Sequence, residues 1–70
     1  MTTEEHNMLL SILENTGELN LHNYYFKIIK RIEGIYELDM IQDGVKTRLA
    51  LGSYKECINT ADMCLNRLNI

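Results

Sequence analysis

The sequence predicts a single small α+β domain: an N-terminal helix, a three-stranded antiparallel sheet and a C-terminal helix packed on one sheet face, in the order α-β-β-β-α. Three observations predict it. Apolar residues repeat at helical spacing near both ends, they alternate with polar ones through the middle, and Asp43-Gly44 interrupts the alternating region with a two-residue hairpin signal. No proline, repeat or low-complexity run divides residues 1–70, so one domain is expected.

Thr2 is followed three residues later by Glu5, the spacing of a capping box that starts a helix. Met8, Leu9, Ile12 and Leu13 then share one helical face, and Asn15-Thr16-Gly17 supplies a stop, which predicts a helix over residues 3–15. The segment "LHNYYFKIIKRIEG" is open to two readings. Leu21, Tyr25, Ile28, Ile29 and Ile32 make a helical stripe, but the density of aromatic and β-branched residues fits a pleated strand better. As a strand it closes a three-residue loop at Ile32-Glu33-Gly34, setting Arg31 opposite Ile35, Ile28 opposite Leu38, Phe26 opposite Met40 and Lys27 opposite Asp39.

The Asp43-Gly44 turn fixes the next pairing. Gln42 meets Val45, Met40 meets Thr47, Leu38 meets Leu49 and Tyr36 meets Leu51 on an apolar face. Asp39 meets Arg48 and Glu37 meets Ala50 on a charged face. Ser53 then caps a final helix over residues 54–68, with Glu56 completing a second capping box. Cys57, Ile58, Ala61, Cys64, Leu65 and Leu68 form its apolar stripe, and the small Ala61 lets the helix axis approach the sheet.

Bulk properties narrow the function classes. A chain of 70 residues buries only about 60% of the surface its unfolded form exposes, which leaves little volume for a deep cleft. No apolar run approaches the roughly 18 residues of a membrane span, and no secretory leader opens the chain, so a cytoplasmic protein without membrane partners is expected. Cys57 and Cys64 lie two helical turns apart, about 10.5 Å, too far for a disulfide, and read as small apolar residues. His6 and His22 lack ligand spacing, so neither metal nor cofactor is expected. The absence of a nucleophile elbow, phosphate loop or HExxH motif argues against an enzyme, and no catalytic residue is assigned.

Charge is unevenly placed. Residues 1–23 carry Glu4, Glu5, Glu14 and Glu18 without a base, and residues 24–51 are mildly basic through Lys27, Lys30, Arg31, Lys46 and Arg48, within an overall charge of −3. No basic patch of the kind that announces nucleic acid by itself is present.

A three-stranded sheet followed by "LGSYKECINTADMCLNRL" resembles the AP2-like domains of plant regulators and of phage and transposon integrases. These commonly carry Leu-Gly, a small hydroxyl residue and an aromatic before the helix, then an alanine within it. Leu51, Gly52, Ser53, Tyr54 and Ala61 match, and the likeness spans about residues 24–68. It implies DNA binding in the major groove through the exposed sheet face, by Lys27, Lys46 and Arg48 with Arg31 at the strand end. Glu37 and Asp39 in the middle of that face, and the lack of tryptophan, depart from the pattern.

In size and composition the chain also resembles small phage or mobile-element accessory proteins, anti-CRISPR inhibitors among them. That likeness implies stoichiometric binding to a protein partner or host nucleoprotein complex and inhibition of nucleic-acid machinery. Glu4, Glu5, Glu14 and Glu18 would be the contact with a basic channel, and a homodimer also fits. The blander readings are that these glutamates only solvate a helix and favour its N-terminus, and that Lys27–Asp39–Arg48 is a solvated cross-strand ladder. The expected function is partner binding with inhibition, and the alternative is a DNA-binding module.

Overall fold

The computed structural model describes residues 1–68 as two helices on one face of a four-stranded antiparallel sheet. Helix α1 spans Thr3–Thr16 and helix α2 spans Tyr54–Arg67; the strands are β1 (Glu18–Leu21), β2 (Tyr24–Ile32), β3 (Ile35–Gln42) and β4 (Val45–Gly52). They lie in the order β1-β2-β3-β4, each hydrogen-bonded to its sequence neighbour.

The architecture corrects the expected strand count from three to four. Residues 18–32, open to a helical reading, form a hairpin: Leu19 pairs with Phe26 and Leu21 with Tyr24 across a turn at His22, which takes φ 54°. Glu18-Leu19-Asn20-Leu21 does alternate, but so short a run gains its order only by adding to β2 and covering Leu19 with the core. Helix α1 begins as expected. The Thr2 hydroxyl accepts from the Glu5 N–H, the Glu5 carboxylate accepts from the Thr2 N–H, and that bond holds the Glu5 carboxyl below its ordinary pKa.

The second capping box does not close. Ser53 Oγ accepts from the Glu56 N–H at 3.1 Å, but the Glu56 carboxylate takes the Ser53 hydroxyl rather than its backbone N–H. The helices run antiparallel. At one end Tyr54 Oη donates to the Glu14 carbonyl at 2.5 Å, and farther along His6 contacts Asp62.

The core lies between the helices and the sheet. Leu13, Phe26, Leu38, Cys57 and Ala61 are fully buried in it, joined by Leu19, Ile58 and Leu65. Cys57 is thus a packed apolar residue; burial pushes both its thiol and that of the half-buried Cys64 up in pKa, which leaves them poor nucleophiles. Among the described residues, no helix is long and apolar enough to cross a membrane.

The register of β2 against β3 is as expected from Phe26–Met40 to Ile28–Leu38. Beyond it a bulge makes Arg31 the extra residue, so Ile32, not Arg31, meets Ile35, and the turn contains only Glu33 and Gly34. A second bulge falls in β4. Asp39–Arg48 and Met40–Thr47 pair as expected, but Leu38 meets Ala50, Glu37 meets Leu51 and Tyr36 meets Gly52. Leu49 is the extra residue there, and both Leu49 and Ala50 pack against the core, which strict alternation forbids. Past this bulge the faces exchange, and Leu51 moves out of the apolar layer.

The Asp43-Gly44 turn holds both residues at positive φ, 51° and 78°, the pattern of a type I′ hairpin. Nothing lies within 4 Å of a Cβ built on Gly44, so backbone strain alone opposes a larger residue there. Gly44→Val should therefore lower stability by roughly 1 kcal/mol or more, read as a lower urea midpoint. An unchanged midpoint would contradict the turn.

Candidate binding face

Because both helices cover one side of the sheet, the other side has no layer above it among the described residues. Its residues follow from register and alternation. Ile32 and Ile35 stand at one end. Next come Ile29, Glu37 and Leu51, then Glu18, Lys27, Asp39 and Arg48, and last Asn20, Tyr25, Ile41 and Lys46. The bulge at Arg31 adds that side chain to the same face, where its Nε stands 3.2 Å from Glu37 Oε1.

Charge on this face is layered by depth. The side chains of Glu37 and Asp39 are only 4% and 2% exposed, whereas Lys27, Arg31, Lys46 and Arg48 keep 47%, 55%, 60% and 57% of theirs in solvent. The acids sit on β3, an interior strand, and longer side chains from both flanks converge over them. Arg48 Nη1 lies 3.8 Å from Glu37 Oε1 and Lys46 Nζ lies 3.7 Å from Asp39 Oδ2. The expected solvated ladder is therefore corrected: Lys27 does oppose Asp39 and Asp39 does oppose Arg48, but Asp39 is out of water and its nearest cation is Lys46. Lys27 turns instead to Glu18, 3.9 Å away, which also accepts from Tyr25 Oη at 2.8 Å and thereby raises the Tyr25 pKa.

Packing holds Glu37 and Asp39 without satisfying them. Among the described residues, Glu37 Oε1 and both Asp39 carboxylate oxygens are buried with no hydrogen-bond donor of good geometry. The neighbouring Asp39 carboxyl and the flanking Arg31 and Arg48 cations keep Glu37 below its ordinary pKa. Burial, reinforced by the Glu37 carboxyl, pushes Asp39 above its own.

At one end of this charged centre the surface is apolar. Ile32 is 67% exposed and Leu51 52%, with Ile35 and half-buried Ile29 beside them, while half-buried Ile41 lies on the far side of the charged row. No sequence signal marked Leu51 or Ile32 as a surface residue, since both displacements arise at bulges.

The four glutamates named as a contact are not brought together. Glu5 closes the α1 cap, Glu4 stands exposed beside it, and Glu14 lies ten residues on, about 15 Å along the helix. Glu18 belongs to the opposite side of the molecule, on the open sheet face. The four expected bases, Lys27, Arg31, Lys46 and Arg48, do share one face. Elsewhere an open hollow of about 260 Å³ lies between the start of α1 and the end of α2, bordered by Thr2, Thr3, His6 and Leu65. Among the described residues no three His, Cys, Asp or Glu side chains gather as metal ligands. No family model, curated protein or solved structure matches this chain.

Proposed function

We propose that this chain is a non-catalytic binding module that acts by stoichiometric association with a macromolecular partner, in the manner of small inhibitors of nucleic-acid machinery, and that the open sheet face is its contact surface. The observation that supports it most is the exposed Ile32–Ile35–Leu51 patch standing next to four half-exposed bases on a face that no helix covers. Apolar residues at the centre of an interface with arginine close by are the usual composition of a protein contact.

The partner's chemistry follows from the depth of the charges. What an approaching surface meets is basic, because the acids lie beneath, so the complementary surface is acidic and partly apolar. A second copy docked face to face would oppose base to base, which costs affinity. The acidic helix residues Glu4, Glu5 and Glu14 then repel the same partner from the other side and orient the approach.

The four exposed bases also favour a second reading, an AP2-like DNA contact by Lys27, Arg31, Lys46 and Arg48. Burial of Glu37 and Asp39 supports that reading, since it withdraws carboxylates from phosphate; the isoleucine and leucine patch weighs against it.

A photo-crosslinking residue at Leu51 should trap a protein partner in cells that express the chain, and the adduct should vanish with Arg31→Glu plus Arg48→Glu. Crosslinking from Met8 on the helical layer but not from Leu51 would move the contact to the acidic N-terminal residues. Submicromolar, steeply salt-dependent binding of duplex DNA by the purified chain would assign the face to nucleic acid.

A further inference from the structure

We propose that Glu37 and Asp39 form a carboxyl–carboxylate pair that keeps one shared proton above the pH at which a lone carboxyl gives it up, and that this pair sets the charge of the open sheet face. The inference concerns regulation of the face proposed above as the contact surface, but its geometry stands independently of any partner. The two residues are two apart on β3, so they project to the same side, and both are almost wholly withdrawn from water. As two bare carboxylates they are acceptors only, and among the described residues three of their buried oxygens lack a well-aligned donor, although cations stand within 4 Å. One proton changes this. The protonated carboxyl donates and the ionised one accepts, as like charges forced together commonly do, which satisfies two of the three oxygens and leaves the Asp39 oxygen that faces Lys46.

The surroundings say which carboxyl keeps the proton. From β2, Arg31 approaches Glu37 at 3.2 Å; from β4, Arg48 approaches the same oxygen at 3.8 Å and Lys46 approaches Asp39 at 3.7 Å. Lys27 on β2 is occupied by Glu18 of β1, together with Tyr25. Two guanidinium groups thus hold Glu37 ionised, while Asp39, equally buried, has a single ammonium beside it. The opposite directions of their titrations accord with this division.

The consequence is a face whose charge responds to pH. With both acids ionised, the four bases outweigh Glu18, Glu37 and Asp39 by one charge. With one shared proton the excess is two, and a second proton makes it three and frees Arg31 and Arg48 from Glu37. Acidification therefore strengthens attraction for an acidic surface.

The test uses the free full-length chain with isotope-labelled carboxyl carbons followed by NMR through a pH titration. One carboxyl of the pair is expected to titrate well above the ordinary value near 4 and the other below it, with the upper step absent in Asp39→Asn. Stability supplies a second readout. A raised acid contributes stability below its unfolded pKa of 3.8 and loses it as pH rises through the folded value, whereas asparagine loses nothing. The midpoint of Asp39→Asn relative to the parent should therefore climb as pH rises. Two independent titrations near 4 would overturn the proposal, as would a variant whose relative midpoint stays flat. Neither readout involves a partner, so failure to find one bears only on the proposed function.

Discussion

Phe26→Ala is expected to leave the protein largely unfolded or barely folded, with a loss of about 3–5 kcal/mol. Phe26 is fully buried at the centre of β2, paired with Leu19 on one side and Met40 on the other, and it packs in the cluster that includes Leu13, Leu38 and Leu65. Its ring also stacks with Tyr24 at 6.4 Å between centroids. Removing it takes away the transfer free energy of the ring and leaves a cavity on the interior strand that joins the β1 hairpin to the rest of the sheet. A domain of 70 residues has a total stability of roughly 4–10 kcal/mol, so this one change removes much of it. Urea unfolding followed by circular dichroism measures the loss directly. A midpoint close to that of the parent would show that the core does not close over Phe26.

Ala61→Leu should be the next most damaging, at about 1–3 kcal/mol. Ala61 has no exposed surface and sits mid-way along α2, flanked on its buried stripe by Cys57, Ile58 and Leu65. The larger side chain has nowhere to go but towards β3 and β4, on which α2 rests. Leucine is nearly as good a helix former as alanine, so propensity does not explain a loss, and a lowered midpoint reports packing. Parental stability in this variant would mean that α2 stands farther from the sheet.

Local chemistry made much of the fold legible. The Thr2–Glu5 cap, the Ser53 cap and the Asp43-Gly44 turn act within three or four residues, so they work alike in any context. The stripe of α2 and the alternation of β2 and β3 likewise follow from period. Strand β1 was illegible because four residues cannot hold a strand without a neighbour. The two bulges were illegible because alternation has no term for them: each turns two adjacent side chains the same way, Leu49 and Ala50 towards the core and Arg31 and Ile32 onto the open face.

The candidate site divides in the same way. The sequence by itself placed Lys46, Arg48, Glu37 and Asp39 on one side of a sheet, and Lys27 and Arg31 with them on the strand reading of their segment, because side chains alternate with a period of two. It also placed Ala61 and Phe26 in the core. Only the tertiary structure decided which charges face water and which lie beneath them. Glu37 and Asp39 sit on an interior strand with long neighbours on both flanks, while the bases extend past them into solvent. It alone also moved Leu51 and Ile32 onto that face and scattered Glu4, Glu5, Glu14 and Glu18 over two sides of the molecule. Burial and register depend on what stands across the sheet, and that is set by contacts between residues far apart in the chain.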